Sequence, residues 1–320
     1  MMKDNLIIYL SSRNNYEMFE KEVLNNIKTD GFEIINIDDG SIPKQLEYGK
    51  KICKKNNIVF LKNKKRGVQW ATQTLMNFIK DNRPNCKWCF CFQHDNYPIS
   101  KLFFKNLSNL IIKNDLNDFG IIGFNVLDYG KYTGFSYLKF KLGLKPLGMI
   151  GMLHLSESKR EKRWLAPKRQ PKLLKNKLWR KPFIIEFPMW AAVGINVKNW
   201  NKIIKPCIDY QFHLWLPDIA MQFNNANKAC LIIPDLYCIN NQKLKLKYNI
   251  PENSAMASKA GNTHFFGKYS PFDVWKKRWG WEYETARDTF PLEKYKGSLL
   301  EKFYLNDVKK GPVKMIKINE

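Results

Sequence analysis

Two strand-length apolar runs end abruptly in acidic residues, and this constrains the fold more than any other feature of the chain. Phe32-Glu33-Ile34-Ile35-Asn36-Ile37 leads into Asp38-Asp39-Gly40-Ser41. Trp88-Cys89-Phe90-Cys91-Phe92 leads into Gln93-His94-Asp95-Asn96-Tyr97-Pro98, where the proline opens a helical stretch. Open α/β sheets bind their ligands outside the carboxyl ends of their strands. Two strands with acid at that end can turn carboxylates into one crevice, the layout expected for a nucleotide with a divalent cation.

The first third of the chain alternates strand and helix signals with short connections, as a parallel sheet with crossover helices requires. Leu6–Leu10 reads as a strand, and polar Ser11-Ser12-Arg13-Asn14-Asn15 supplies helix caps after it. Apolar groups at Met18, Phe19, Val23, Leu24 and Ile27 have helical spacing over 16–27. A helix near 45–54, a short strand over 58–61, and a loop entering a helix over 66–79 follow. Beyond the acid-tipped second run come a helix over 100–112 and a strand over 120–124. After the middle of the chain, strands are expected over 183–187, 190–195 and 229–233, with helices near Lys198 and over 217–223. The last seventy or so residues are rich in Trp and Tyr, with weaker periodicity.

At 320 residues the chain can bury a full core. No apolar run reaches the roughly 18–20 residues that a membrane span needs, and the N-terminus reads as a first strand, not a signal peptide. The formal charge of +25, from 54 basic and 29 acidic residues, predicts anionic partners. Eleven of those basic residues fall within 159–181, against one Glu, and prolines at 167, 171 and 182 interrupt any helix. That segment reads as a mobile basic loop. Seven cysteines, an odd number scattered through apolar stretches, point to reduced thiols and a cytoplasmic location. Cys86, Cys89, Cys91 and His94 resemble a zinc set, but Cys89 and Cys91 lie inside an expected strand, so buried free thiols are the reading adopted.

In their order, these segments resemble a GT-A-fold nucleotide-sugar glycosyltransferase of the family 2 type, over roughly residues 5–240. The resemblance rests on the strand leading to Ser11-Ser12-Arg13-Asn14-Asn15 and on Asp38-Asp39-Gly40-Ser41. It continues with Asn63 and Gly67 ahead of Ala71 and Gln73, and with an Asp-x-Asp region at Gln93-His94-Asp95-Asn96 followed by Pro98 and Leu102. It implies an α/β GT-A fold, Rossmann-like, with a mostly parallel sheet flanked by helices and an aromatic-rich C-terminal extension. Residues 1–125 would form the nucleotide-sugar-binding half, 126–182 a basic mobile insert, 183–245 the acceptor half and 246–320 the extension.

The implied activity is inverting transfer of a hexosyl group from a nucleoside diphosphate sugar to an acceptor hydroxyl, as in polysaccharide biosynthesis. The resemblance places Ser11, Arg13, Asp39, Arg66 and Asp95 around the donor, with Asp39 on base or ribose. Asp95 would hold Mn²⁺ or Mg²⁺, and His264 would be a further ligand. A cation there would offset charge on the departing diphosphate. Only the last acid of the usual Asp-x-Asp remains, with His94 just before it. Asp218, in Leu216-Pro217-Asp218-Ile219-Ala220 after the small-residue strand Trp190-Ala191-Ala192-Val193-Gly194, is the implied general base. By itself Asp218 also reads as an ordinary acid in a first helical turn.

The expected acceptor is a glycan or lipid-linked hydroxyl, anionic if the basic loop holds it, and that loop would give peripheral contact with the cytoplasmic membrane face. Trp275, Trp279, Trp281 and Tyr283 read as the core of a small C-terminal lobe before they read as a sugar platform. Two other functions fit parts of the sequence: nucleic-acid binding through the basic loop, and a GT-A fold without catalysis. No nucleic-acid-binding signature supports the first, and the missing first acid motivates the second.

Overall fold

The structure, a computed structural model, describes residues 6–27, 32–93, 96–127, 134–146, 148, 151–152, 182–185, 187–189, 192–210, 214–240, 244, 247–248 and 271–280. Its centre is a nine-stranded sheet. The strands β1 (Leu6–Ser12), β2 (Glu33–Asp38), β3 (Val59–Lys62) and β4 (Trp88–Gln93) are mutually parallel, with β1 between β2 and β4. Beyond β4 the sheet becomes mixed. Strand β10 (Ala192–Asn196) runs antiparallel between β4 and β6 (Phe119–Leu127). Strand β11 (Ala229–Asn240) pairs parallel to β6, and takes β5 (Asn96–Pro98) and β8 (Phe183–Ile185) antiparallel. A separate small ladder joins β7 (Gly151–Met152) to β9 (Phe187–Pro188).

Strands β1, β4, β6 and β10 are buried along almost their whole length, which is why they read as continuous apolar runs and not as alternating ones. Helices α2 (Pro43–Lys55) and α3 (Val68–Asn82) cover the parallel half; α4 (Phe103–Lys113), α6 (Val197–Ile203) and α7 (Trp215–Asn225) pack against the mixed half. Pro43 stands at the start of α2, where its missing N–H costs nothing. The helix expected over 16–27 begins as one α-turn, α1 (Tyr16–Met18), and continues as a π-helical stretch over Phe19–Leu24. The strand expected over 183–187 is split into β8 and β9, and the one expected over 229–233 extends to Asn240.

From β1 the chain passes outward through β2 to β3, then returns to β4 on the other side of β1. This reversal is the topological switch point of the sheet, where the crevice at the carboxyl ends opens. Ser12, Asp38 and Gln93 end the three strands around it. Helix α7 immediately precedes β11, whose first residue pairs with Phe119 at the start of β6. The amino end of α7 therefore returns to the same carboxyl rim, roughly 16 Å up the sheet by helical rise.

Candidate donor and acceptor site

The turn after β2 is built around two adjacent aspartates with different tasks. Asp38 is fully buried and structural. Its Oδ1 accepts from the backbone N–H of Gly40 at 3.2 Å and of Ser41 at 3.0 Å, and its Oδ2 from the Tyr16 hydroxyl at 2.8 Å. The Tyr16 hydroxyl in turn accepts from Asn36 Nδ2, and Ser12 Oγ donates to Asn36 Oδ1 at 2.7 Å. This buried polar chain ties the tips of β1 and β2 together. The loop after β1 is tied on as well, because the Asn14 N–H donates to Ser41 Oγ and Asn14 Oδ1 accepts from the Ile42 N–H.

Asp39 is turned differently. Its Oδ1 accepts from Asn63 Nδ2 and from the Gly67 N–H, both at 2.8 Å. Gly67 sits at φ +127°, a left-handed conformation in which a side chain is strained, and its carbonyl begins α3 by accepting from Ala71. Asn63 is positioned from both sides: its own N–H donates to the Asp38 carbonyl, and Thr74 Oγ1 donates to its Oδ1. Burial pushes the Asp39 carboxyl up to about 6, against the opposing hydrogen bonds of Asn63 and Gly67 and the charge of Arg13. Arg13 lies close enough to Asp39 and Asp38 to feel both charges, and burial lowers its own pKa. Its Nε is buried with no hydrogen-bond partner. The Cγ of Arg66 lies 3.9 Å from where a Cβ on Gly40 would stand. Ser11, Arg13, Asp39 and Arg66 are thus brought to one rim, with Ser11 beside Gln93 in the β1–β4 register.

Asp218 lies in the first turn of α7, on the same rim but in a separate cluster. Its carboxylate is 1% exposed. Oδ1 takes an ion pair from Arg278 Nε at 2.7 Å and a hydrogen bond from Trp279 Nε1 at 2.9 Å; Oδ2 accepts from Gln222 Nε2 at 2.9 Å. Arg278 and Trp279 come from α8 (Pro271–Trp279), which is docked by the buried Trp275. Arg278 also donates to the Lys205 carbonyl, and the Lys205 N–H donates to Gln222, which closes the network. Burial raises the Asp218 carboxyl to about 6 against the pull of Arg278, Trp279 and Gln222. The buried Tyr210 hydroxyl, near enough to feel the Asp218 charge, has no hydrogen-bond partner.

Asp95, His94 and His264 lie outside the described residues, as do the basic segment 159–181, Trp190, Trp281 and Tyr283. Among the described residues no group of three or more His, Cys, Asp or Glu could hold a metal ion. Asp38 fits one poorly, because both of its oxygens already accept hydrogen bonds from the chain, and Asp39, with Oδ1 taken by Asn63 and Gly67, is left as a single carboxylate. All seven cysteines are free thiols; burial raises those at 86 and 89, as expected of inert core groups. Sequence reasoning missed Arg278 and Gln222 as partners of Asp218 and placed Trp279 in a hydrophobic lobe. Nothing local in the sequence marks a pairing between positions 61 residues apart.

No family model matches the chain, and no curated protein matches it. Solved structures do. GalNAc-T7, determined with UDP, GalNAc and Mn²⁺, superposes with a TM-score of 0.52 at 13% identity over 74% of this chain and 43% of that one. The mannosyltransferase PcManGT from Pyrobaculum calidifontis, in complex with GDP-Man and Mn²⁺, gives 0.45 at 10% identity over 73% of this chain and 56% of that one. S. aureus TarS 1-349 gives 0.42 at 12% identity over 74% and 60%. The chain thus spans about half the length of these proteins. The sheet order, the switch-point crevice and the likeness to GalNAc-T7 together show that this chain has the GT-A fold.

Proposed function

We propose that the protein is a glycosyltransferase that takes a sugar from a nucleoside diphosphate donor and delivers it to an acceptor hydroxyl with inversion. The observation that carries this reading is Asp39. A carboxylate at a switch-point rim, held by Asn63 and the Gly67 N–H and kept partly open, is suited to accept donor groups from a base or ribose. Ionising it costs free energy that folding alone does not require, which is characteristic of a group retained for binding. Arg13, with an orphaned buried Nε, and Arg66 stand where the negative charge of a diphosphate would lie. Ser11 completes this donor side.

Mn²⁺ or Mg²⁺ on Asp95, with His264 as a further ligand, would offset charge on the departing diphosphate. Asp218 is the proposed base. At neutral pH a carboxyl titrating near 6 is largely ionised and can take the proton of an acceptor hydroxyl. The Tyr210 hydroxyl beside it has hydrogen-bonding capacity to orient that acceptor. Because Asp218 is 1% exposed, the acceptor must displace Trp279 or Gln222 to reach the base. In the proposed division, 1–125 serves the donor and 183–245 the acceptor.

Thermal unfolding with UDP and with GDP, each with and without Mn²⁺, tests the reading. Stabilisation that needs both nucleotide and ion, and that is lost in Asp39→Asn and Asp95→Ala, is the expected result. Hydrolysis of a panel of nucleotide sugars then identifies the donor. Absence of any nucleotide-dependent stabilisation together with no hydrolysis would leave a GT-A fold without catalysis.

A further inference from the structure

Helix α5 (Gly134–Lys141) is the next described element after β6, whose carboxyl end lies on the rim of the proposed donor site. It closes in a Schellman motif. The Gly143 N–H donates to the Phe140 carbonyl, the Leu144 N–H reaches back to the Lys139 carbonyl, and Gly143 takes φ +75°. That closure turns Leu144 back over the last helical turn, toward the level of Leu138. The Leu142 N–H donates to the Leu138 carbonyl, so Leu138 and Leu142 share one face.

The opposite face is anchored. At about 100° per residue, Phe140 points roughly 180° away from the Leu138–Leu142 stripe, and its ring lies 5.0 Å from that of Tyr237 on β11. Just beyond the helix, the buried Asn125 fixes the chain by donating to the carbonyls of Pro146 and Pro234 and accepting from the Gly148 N–H. Lys145 adds an ion pair with Asp235 at 3.1 Å. What remains outward is apolar: Leu138 is 50% exposed, Leu142 68% and Leu144 54%. Seven large apolar side chains are exposed among the described residues, and three of them fall within these seven positions.

The charge that the knuckle itself carries is all basic, and the one carboxylate described against it, Asp235, is paired with Lys145. Lys139 and Lys141 lie roughly 80° to either side of the leucine stripe. Lys141 leans over the Tyr137 ring at 4.8 Å, and Lys145 follows Leu144. Across 130–154 there are four lysines and no acidic residue. Exposed leucines ringed by lysines, on an element fixed to the sheet from behind, match the boundary between anionic headgroups and acyl chains. A second copy of the chain would bring lysines against lysines at the same patch.

We propose that Leu138, Leu142 and Leu144 form a bilayer-inserting knuckle that docks the protein on anionic membrane, with the donor rim facing the lipid surface. This contact is separate from the basic segment 159–181 and does not depend on glycosyl transfer.

Vesicle co-sedimentation of the full chain tests it, with phosphatidylcholine vesicles and with phosphatidylcholine–phosphatidylglycerol vesicles. The wild type should bind the anionic vesicles and not the neutral ones. The double variant Leu142→Ser, Leu144→Ser keeps every charge and should partition at least about ten-fold more weakly, the factor expected when one or two leucines stay in water. Lys141→Gln should weaken binding less and should flatten its salt dependence. Thermal unfolding should be unchanged in each variant, because the substituted side chains are exposed. Equal partitioning of wild type and the leucine variant would overturn the proposal and assign any membrane affinity to charge alone. A dimer seen by sedimentation velocity that the leucine variant abolishes would overturn it in favour of a contact between copies.

Discussion

At the residue scale, the two aspartates after β2 show how one turn divides structure from chemistry. Asp38 spends its whole carboxylate on the chain, whereas Asp39 keeps accepting capacity and is held near pKa 6 by burial. In the unfolded chain Asp39 would titrate at its ordinary value, about 3.9. Between that value and 6 the folded protein binds the extra proton, so Asp39 makes folding less favourable as pH rises through this window. Asp39→Asn should therefore raise the melting temperature at pH 7.5 by about 2–4 °C, and the gap should close by pH 4. The same variant should lose nucleotide-dependent stabilisation. Scanning calorimetry at the two pH values, with and without UDP or GDP, checks both outcomes; a variant that melts lower at pH 7.5 would mean that Asp39 is structural. Asn63→Ala removes the buried donor from that carboxylate and should cost about 1–3 kcal/mol, measured by urea unfolding. The rim positions of Ser11, Arg13, Asp39 and Arg66 were legible in the sequence because each lies within a few residues of a strand end. The tasks of Asn36, Tyr16 and Ser12 were not, because a polar group inside a strand or at the start of a helix reads the same whether it faces a partner or water.

At the element scale, buried strands announce themselves and their directions do not. The runs at 6–12, 88–93 and 119–127 are apolar on both faces, so their existence was plain. Nothing in Ala192–Asn196 says that it runs against its neighbours, because burial on both faces erases the pattern that distinguishes them. The strand expected over 229–233 continues to Asn240, through a Pro234-Asp235 pair that ordinarily ends a strand. The structure absorbs the pair in a register shift between Ile233 and Tyr237, where the Pro234 carbonyl serves Asn125. Helix α8 is the element whose partner is least visible in the sequence, and it closes on Asp218. Arg278→Met would leave a buried carboxylate with two neutral donors. It should destabilise the protein by about 2–3 kcal/mol at pH 7, somewhat less than for a fully buried pair because Arg278 is partly exposed. Acid should relieve part of that loss, since without the arginine the carboxyl takes its proton at higher pH; chemical unfolding at pH 7 and pH 5 measures the difference. Asp218→Asn separates the two roles of this residue. As a base, it should lower turnover by about 10² to 10⁴-fold with donor affinity nearly unchanged. If Asp218 only anchors α8, the melting point moves and turnover does not.

At the scale of the whole molecule, the charge of +25 gives the surface a long reach for anions, and its salt dependence separates reach from contact. Charges exposed to water are screened over about 8 Å at 0.15 M salt, whereas a pair sheltered at the rim, such as Arg13 beside Asp39, is screened far less. Donor binding should therefore have two components. One falls steeply between about 0.05 and 0.3 M salt and belongs to exposed lysines, including those of 159–181. The other survives salt and belongs to Arg13, Arg66 and Asp39. Replacing Lys168, Arg169 and Lys172 with serine should raise the Michaelis constant for donor or acceptor at low salt and reduce its salt dependence, while leaving the high-salt value near that of the wild type. Arg13→Gln should do the reverse, weakening donor binding by a similar factor at every salt concentration. Steady-state kinetics across a salt series on the three proteins distinguishes these patterns. If the triple serine variant matches the wild type throughout, the basic segment does not contribute to the reaction and serves as a general cationic surface.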